Sequence, residues 1–154
     1  PGVAKVYWRL WEIDTSGWPL GGVIPRTPLP EGDLGNDVLS RGPIACIEAP
    51  TSGNAWSRSL LEKILPMPEL EFRLNADCYL STLAPLYGEV RTVPEPQARY
   101  RVHGGNGYVA MPVGGKSRRQ LSMYLHRCDR ISQHGRALGL GVDPEQWKDG
   151  TAYF

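Results

Sequence analysis

Fourteen prolines and eighteen glycines, about a fifth of the 154 residues, interrupt this chain without any period. Proline removes a backbone donor and glycine weakens helices and strands, so regular structure is confined to the islands between them. The missing three-residue repeat excludes collagen. A hydrophobic share of 41% and a charged share of 21% exclude a disordered chain. One loop-rich domain is the expected outcome, since domains typically run to ~100–150 residues. No stretch reaches the ~18–20 uninterrupted apolar residues of a membrane helix, so no transmembrane segment is expected. Cys46, Cys78 and Cys128 are odd in number and scattered, neither a disulfide framework nor a zinc set. They read as reduced thiols of a cytosolic protein.

The islands can be placed. Residues 3–13 are dense in β-branched and aromatic side chains and predict a strand, and Asp14-Thr15-Ser16-Gly17 supplies a turn into a second short strand ending at Ile24. Residues 25–43 predict a long irregular loop with room for a short helix near residues 33–39. Ser59 with Glu62 matches a capping box ahead of Leu60, Leu61, Ile64 and Leu65, and Pro66 stops that helix. A second helix is expected over residues 77–87, with Gly88 as its cap and Pro85 as a threat to its last turn. Two short strands, 90–93 and 98–102, precede the turn His103-Gly104-Gly105-Asn106-Gly107. A last amphipathic helix spans about 116–138.

The net charge of +1 hides an asymmetry: residues 96–142 carry eight basic side chains and one acid, Asp129. Arginine outnumbers lysine thirteen to four, and a planar guanidinium suits phosphate, although a solvated helix face explains the pattern equally well. Asp77, at a helix start, reads as an N-cap by default and as a stabilised carboxylate by its place on the helix dipole. His103 beside Gly104-Gly105 reads as a surface turn or as a ligand for metal or phosphate. Ala110 to Ser117 approximates a phosphate loop, but Ala110 replaces the first glycine and Pro112 removes a cradling donor. No Gly-x-Ser-x-Gly elbow and no His-Glu-x-x-His occurs.

Three segments taken in order carry a resemblance. Pro50-Thr-Ser-Gly-Asn-Ala-Trp-Ser-Arg58, Asn75-Ala-Asp-Cys-Tyr-Leu80 and Glu95-Pro-Gln-Ala-Arg-Tyr-Arg-Val-His-Gly-Gly-Asn106 resemble the C-terminal half of glycosyltransferase family 2 enzymes of GT-A fold. The resemblance covers about residues 1–110 and leaves 111–154 as a helical extension of one unit. It implies an α/β fold, α+β in the isolated piece: part of a mixed sheet flanked by helices. It implies an inverting transfer of a sugar from a nucleotide-sugar donor to an acceptor hydroxyl, with a divalent metal, Mn2+ or Mg2+. Asp77 matches the general base, and Ala76 stands where its partner acid is usual. Gly53, Asn54 and Trp56 match the acceptor-side strand, Arg101 suits phosphate, and His103 matches a metal or diphosphate contact.

The metal-binding Asp-x-Asp is absent, and the resemblance places it with the nucleotide-binding half ahead of Pro1. The expectation is a piece of a larger enzyme that transfers no sugar alone. It would associate with itself through a strand edge left open near Val3–Trp11. No nucleic-acid partner is expected, and the location expected is cytoplasmic, with the inner face of the membrane as the alternative. A carbohydrate-binding or interaction module using Trp8, Trp11 and Trp18, and a phosphate-loop nucleotide-binding protein, are the competing expectations.

Overall fold

The computed structural model describes residues 2–106 and 113–147. Its frame is a four-stranded mixed sheet built around β1 (Val3–Ile13), the segment richest in strand-forming side chains. β2 (Pro19–Ile24) pairs antiparallel with Leu10–Ile13, and β3 (Asn54–Trp56) pairs antiparallel with Lys5–Tyr7. Both lie on one edge of β1. β4 (Glu89–Arg101) runs parallel along the other, from Val3↔Glu89 to Ile13↔Arg101.

That arrangement corrects the expectation of an open edge near Val3–Trp11, and with it the proposed seat of self-association. Parallel pairing needs a crossover that returns the chain to the start of its partner. Helix α4 (Ala76–Tyr87) supplies it, and the Glu89 N–H donates to the Gly2 carbonyl at 3.1 Å. Gly88 fits there because a Cβ would strike the Gly2 carbonyl. β4 is one strand where two were expected. Pro94 and Pro96 fall between Trp8↔Val93 and Leu10↔Ala98, where the register breaks. Among the described residues no strand covers the outer edge of β4 there, so no ladder bond is lost to either proline.

The helices are α1 (Gly35–Arg41), α2 (Arg58–Ile64), α3 (Glu69–Phe72), α4 and α5 (Val113–Ala137). Ser57, and not Ser59, caps α2, its hydroxyl accepting from the Leu60 N–H at 3.2 Å. Ser57 leaves β3 in extended conformation, which aims its side chain at the orphan donors. Glu62 pairs with Arg58 at 2.8 Å instead of closing a capping box. Ala4, Leu60, Ile64, Phe72, Tyr79 and Leu83 form the main apolar cluster, each large side chain contributing ~1.5–3 kcal/mol by burial. A second cluster joins Val38, Ile131 and Trp147 and clamps α5 to α1. Trp147 donates to the Leu39 carbonyl at 3.0 Å and lies against Gly42, where a Cβ would meet the indole at 2.7 Å. No helix among the described residues is long and apolar enough to cross a membrane.

Candidate functional site

A cleft of about 660 Å³ opens between the segment before β3, the first turn of α4 and one stripe of α5. Arg119, Met123 and Arg127 line it at intervals of four, the spacing that puts residues on one helical face. Glu48, Ala49, Pro50, Asp77 and Cys78 form the opposite wall, and Ile24 and Pro25 close the end nearest β2.

Asp77 is not the N-cap that its position suggests. Asn75 holds that place, without a side-chain capping bond, and Asp77 sits at the second helical position. Its Oδ2 accepts from the Thr51 hydroxyl at 2.8 Å, and its Oδ1 accepts from the Cys78 N–H at 3.0 Å. Each oxygen keeps a lone pair. Asn54 organises the loop that carries Thr51: its Nδ2 donates to the carbonyls of Ala49 and Pro50 at 3.1 and 2.8 Å.

Behind Asp77 lies a network of charges drawn from distant parts of the chain. Arg127 pairs with Glu48 at 2.8 Å, donates to the Thr82 hydroxyl at 2.7 Å, and reaches the Pro43 carbonyl at 3.1 Å. The Cys78 thiol donates to Glu48 at 2.8 Å. Burial, reinforced by Glu48, pushes that thiol well above its ordinary range, so it is a protonated donor at neutral pH. Lys5 is 2% exposed, donates to the Ser81 hydroxyl at 2.9 Å, and lies 4.3 Å from the Tyr7 ring centroid. Burial lowers its pKa to about 8, although Glu48 pulls the other way.

The remaining sequence-derived candidates sit elsewhere. Gly53 is buried, and a Cβ there would meet Leu10 Cδ1 and the Trp8 carbonyl at 2.8 Å, so the close approach it permits is to the protein's own β1. Trp56 packs against the main apolar cluster. Arg101 donates to the carbonyls of Asp14 and Thr15 at 3.1 and 2.7 Å and braces the β1–β2 turn. His103 is exposed in a turn closed by its own N–H to Asn106 Oδ1 at 2.6 Å, and its Nδ1 accepts from the Gly105 N–H at 3.2 Å. Ile24 pairs with Leu10 and Arg101 with Ile13, so Arg101 lies about 10 Å beyond the Ile24 level at ~3.3 Å per residue, and His103 follows it past the end of β1. The structure joins Asn54 to the loop beside Asp77 and leaves Trp56, Arg101 and His103 off the cleft wall. Among the described residues no three His, Cys, Asp or Glu converge as a metal site, and His103 supplies a single nitrogen. Of the phosphate-loop segment, 110–112 lie outside the described residues and the backbone from Val113 onward is helical.

Sequence reasoning missed Glu48, Arg119 and Arg127. The signal available for the arginines was the basic stretch 96–142, and nothing local marks Glu48. Over 108 residues, 70% of its length, the chain is 35% identical to a Nostoc sp. protein described as an uncharacterized glycosyltransferase. It spans 33% of that relative's length. No protein-family profile matches the chain, and no solved structure does.

Proposed function

We propose that this chain forms the acceptor-facing part of a family 2 glycosyltransferase, with Asp77 as general base. The carrying observation is the Asp77 carboxylate on the cleft wall, oriented by Thr51 and Cys78 and with lone pairs left to accept a proton. The similarity to a protein described as a glycosyltransferase supports the same reading. In the step envisaged, an acceptor hydroxyl in the cleft gives its proton to Asp77 while its oxygen bonds to the anomeric carbon of the donor sugar. The bond from that carbon to the nucleoside diphosphate breaks on the opposite face, and the configuration inverts. Proton removal of this kind contributes ~10²–10⁴ in rate. The described residues do not make a metal site of their own, and no step is assigned to a metal.

Arg127 and Glu48 hold the wall that faces the acceptor. The pair and its partners together lie on four segments, so the cleft keeps its shape without a ligand, as orientation-dependent catalysis requires. The test is Asp77→Asn in the full protein. Asn keeps the shape and a hydrogen bond from Thr51 but cannot take a proton. Turnover of a nucleotide-sugar should fall by ~10²–10⁴ with donor affinity unchanged, and turnover near wild type removes the base assignment. One observation favours a second reading, a carbohydrate-binding surface: Trp11 and Trp18 are 48% and 73% exposed near the β1–β2 turn. Sugar binding lost in a Trp11→Ala/Trp18→Ala variant, with no turnover in wild type, selects it.

A further inference from the structure

A second depression, of about 400 Å³, adjoins the Asp77 cleft, and Asn75, Arg119 and Met123 line both. Its walls carry Arg73, just past α3, and Arg118, Arg119 and His126 of α5. Glu71 is the single carboxylate of this lining, and it stands 3.8 Å from both Arg130 Nε and His126 Nδ1. Three guanidiniums therefore face one volume against one carboxylate that Arg130 already offsets. Arg119 sits at the partition and donates to Asn75 Oδ1 at 3.2 Å, two residues from Asp77. Ser122 Oγ and His126 Nε2, 3.2 Å apart, add polar groups. Planar guanidinium forks match phosphate oxygens in pairs.

We propose that this depression is a phosphate subsite for the acceptor. The second substrate carries a phosphate or diphosphate that docks on Arg73, Arg118 and Arg119 while its hydroxyl reaches Asp77. The hydroxyl half rests on the glycosyl-transfer reading, and the anion half rests on the arginine cluster alone. Leu70 and Leu74, 95% and 71% exposed, rim the same depression. An alkyl chain attached to the phosphate would find apolar surface there. The same anion thus has two possible sources, a lipid-linked phosphate and a water-soluble one.

The experiment is calorimetric titration of the full protein with inorganic pyrophosphate, octyl phosphate and uridine diphosphate. Wild type is compared with R73Q/R118Q and L70S/L74S, and all of these side chains are exposed, so thermal melts should confirm folded variants. R73Q/R118Q should weaken pyrophosphate and octyl phosphate at least ~10-fold, two charge-assisted contacts being lost. It should leave uridine diphosphate unchanged. The wild-type affinity should fall as salt rises. Either outcome at the leucines keeps the subsite: octyl phosphate weakened alone in L70S/L74S names a lipid-linked acceptor, and no change names a soluble one. Two outcomes overturn the proposal. One is no pyrophosphate binding at millimolar concentration. The other is a parallel loss of uridine diphosphate in R73Q/R118Q, which gives the arginines to the donor. An Asp77→Asn variant with wild-type turnover would remove the base and leave these titrations standing, so the two readings fail separately.

Discussion

The cleft between α4 and α5 and the far end of the sheet are held together in different ways. At the cleft, bonds join residues far apart in the chain: Thr51 to Asp77, Cys78 to Glu48, Arg127 to Thr82 and Pro43. Beyond Val102 the bonds are local, as in the turn of His103, Gly105 and Asn106, and the His103 side chain stands in solvent. Bonds between distant segments fix geometry before a ligand arrives, whereas a local turn fixes only itself. The proton transfer proposed for Asp77 calls for the first kind of region.

Turnover should separate the two ends most. Asp77→Asn is expected to lose ~10²–10⁴, and Arg101→Gln, at the braced turn, less than tenfold. Equal losses would break the comparison. Stability should separate them next. Arg127→Met leaves Glu48 unpaired, and breaking a buried pair costs ~3–5 kcal/mol. Both partners keep some solvent contact, so about 2–3 kcal/mol by denaturant unfolding is expected. A loss under about 0.5 kcal/mol would show that the network is not rigid.

Lys5 sharpens the comparison through pH. Its folded pKa of about 8 lies below the ordinary 10.5, so between those values the unfolded chain binds more protons. Stability contributed by this site should rise as pH goes from about 8 toward 10.5, by up to about 3 kcal/mol. Lys5→Met should remove that rise in pH-dependent melts, and an unchanged slope would refute the assignment. The smallest effect is expected at His103. His103→Ala should change stability by less than about 0.5 kcal/mol. If this histidine contacts metal or diphosphate, both affinities should weaken together in calorimetry, and unchanged affinities withdraw that contact.

Much of the frame was legible locally. The composition of residues 3–13 predicts the strand that becomes β1, and the apolar spacing of 77–87 and 116–138 predicts α4 and α5 within a few residues. Asp77 was legible as a residue of interest from its place before an apolar helical run and from its motif. Ser57 was not legible as the cap of α2, because Ser57 and Ser59 are equivalent until β3 sets the direction of the chain. β4 reads as two strands because its prolines signal breaks, and they are harmless only on an edge with no partner.

The sequence by itself determined the strands, the helices and the chemistry each side chain could perform, since those depend on neighbours within a few residues. Only the tertiary structure decided which of these side chains meet. Glu48 and Arg127 are 79 positions apart, and Lys5 and Ser81 76, so no local pattern joins them. The crossover through α4 puts β4 beside β1 and closes an edge that composition alone leaves open. Packing of Trp147 and Ile131 against α1 then brings the arginine face of α5 over Asp77. Burial and long-range pairing are properties of the folded whole, and they turn a carboxylate at a helix start into the wall of a cleft.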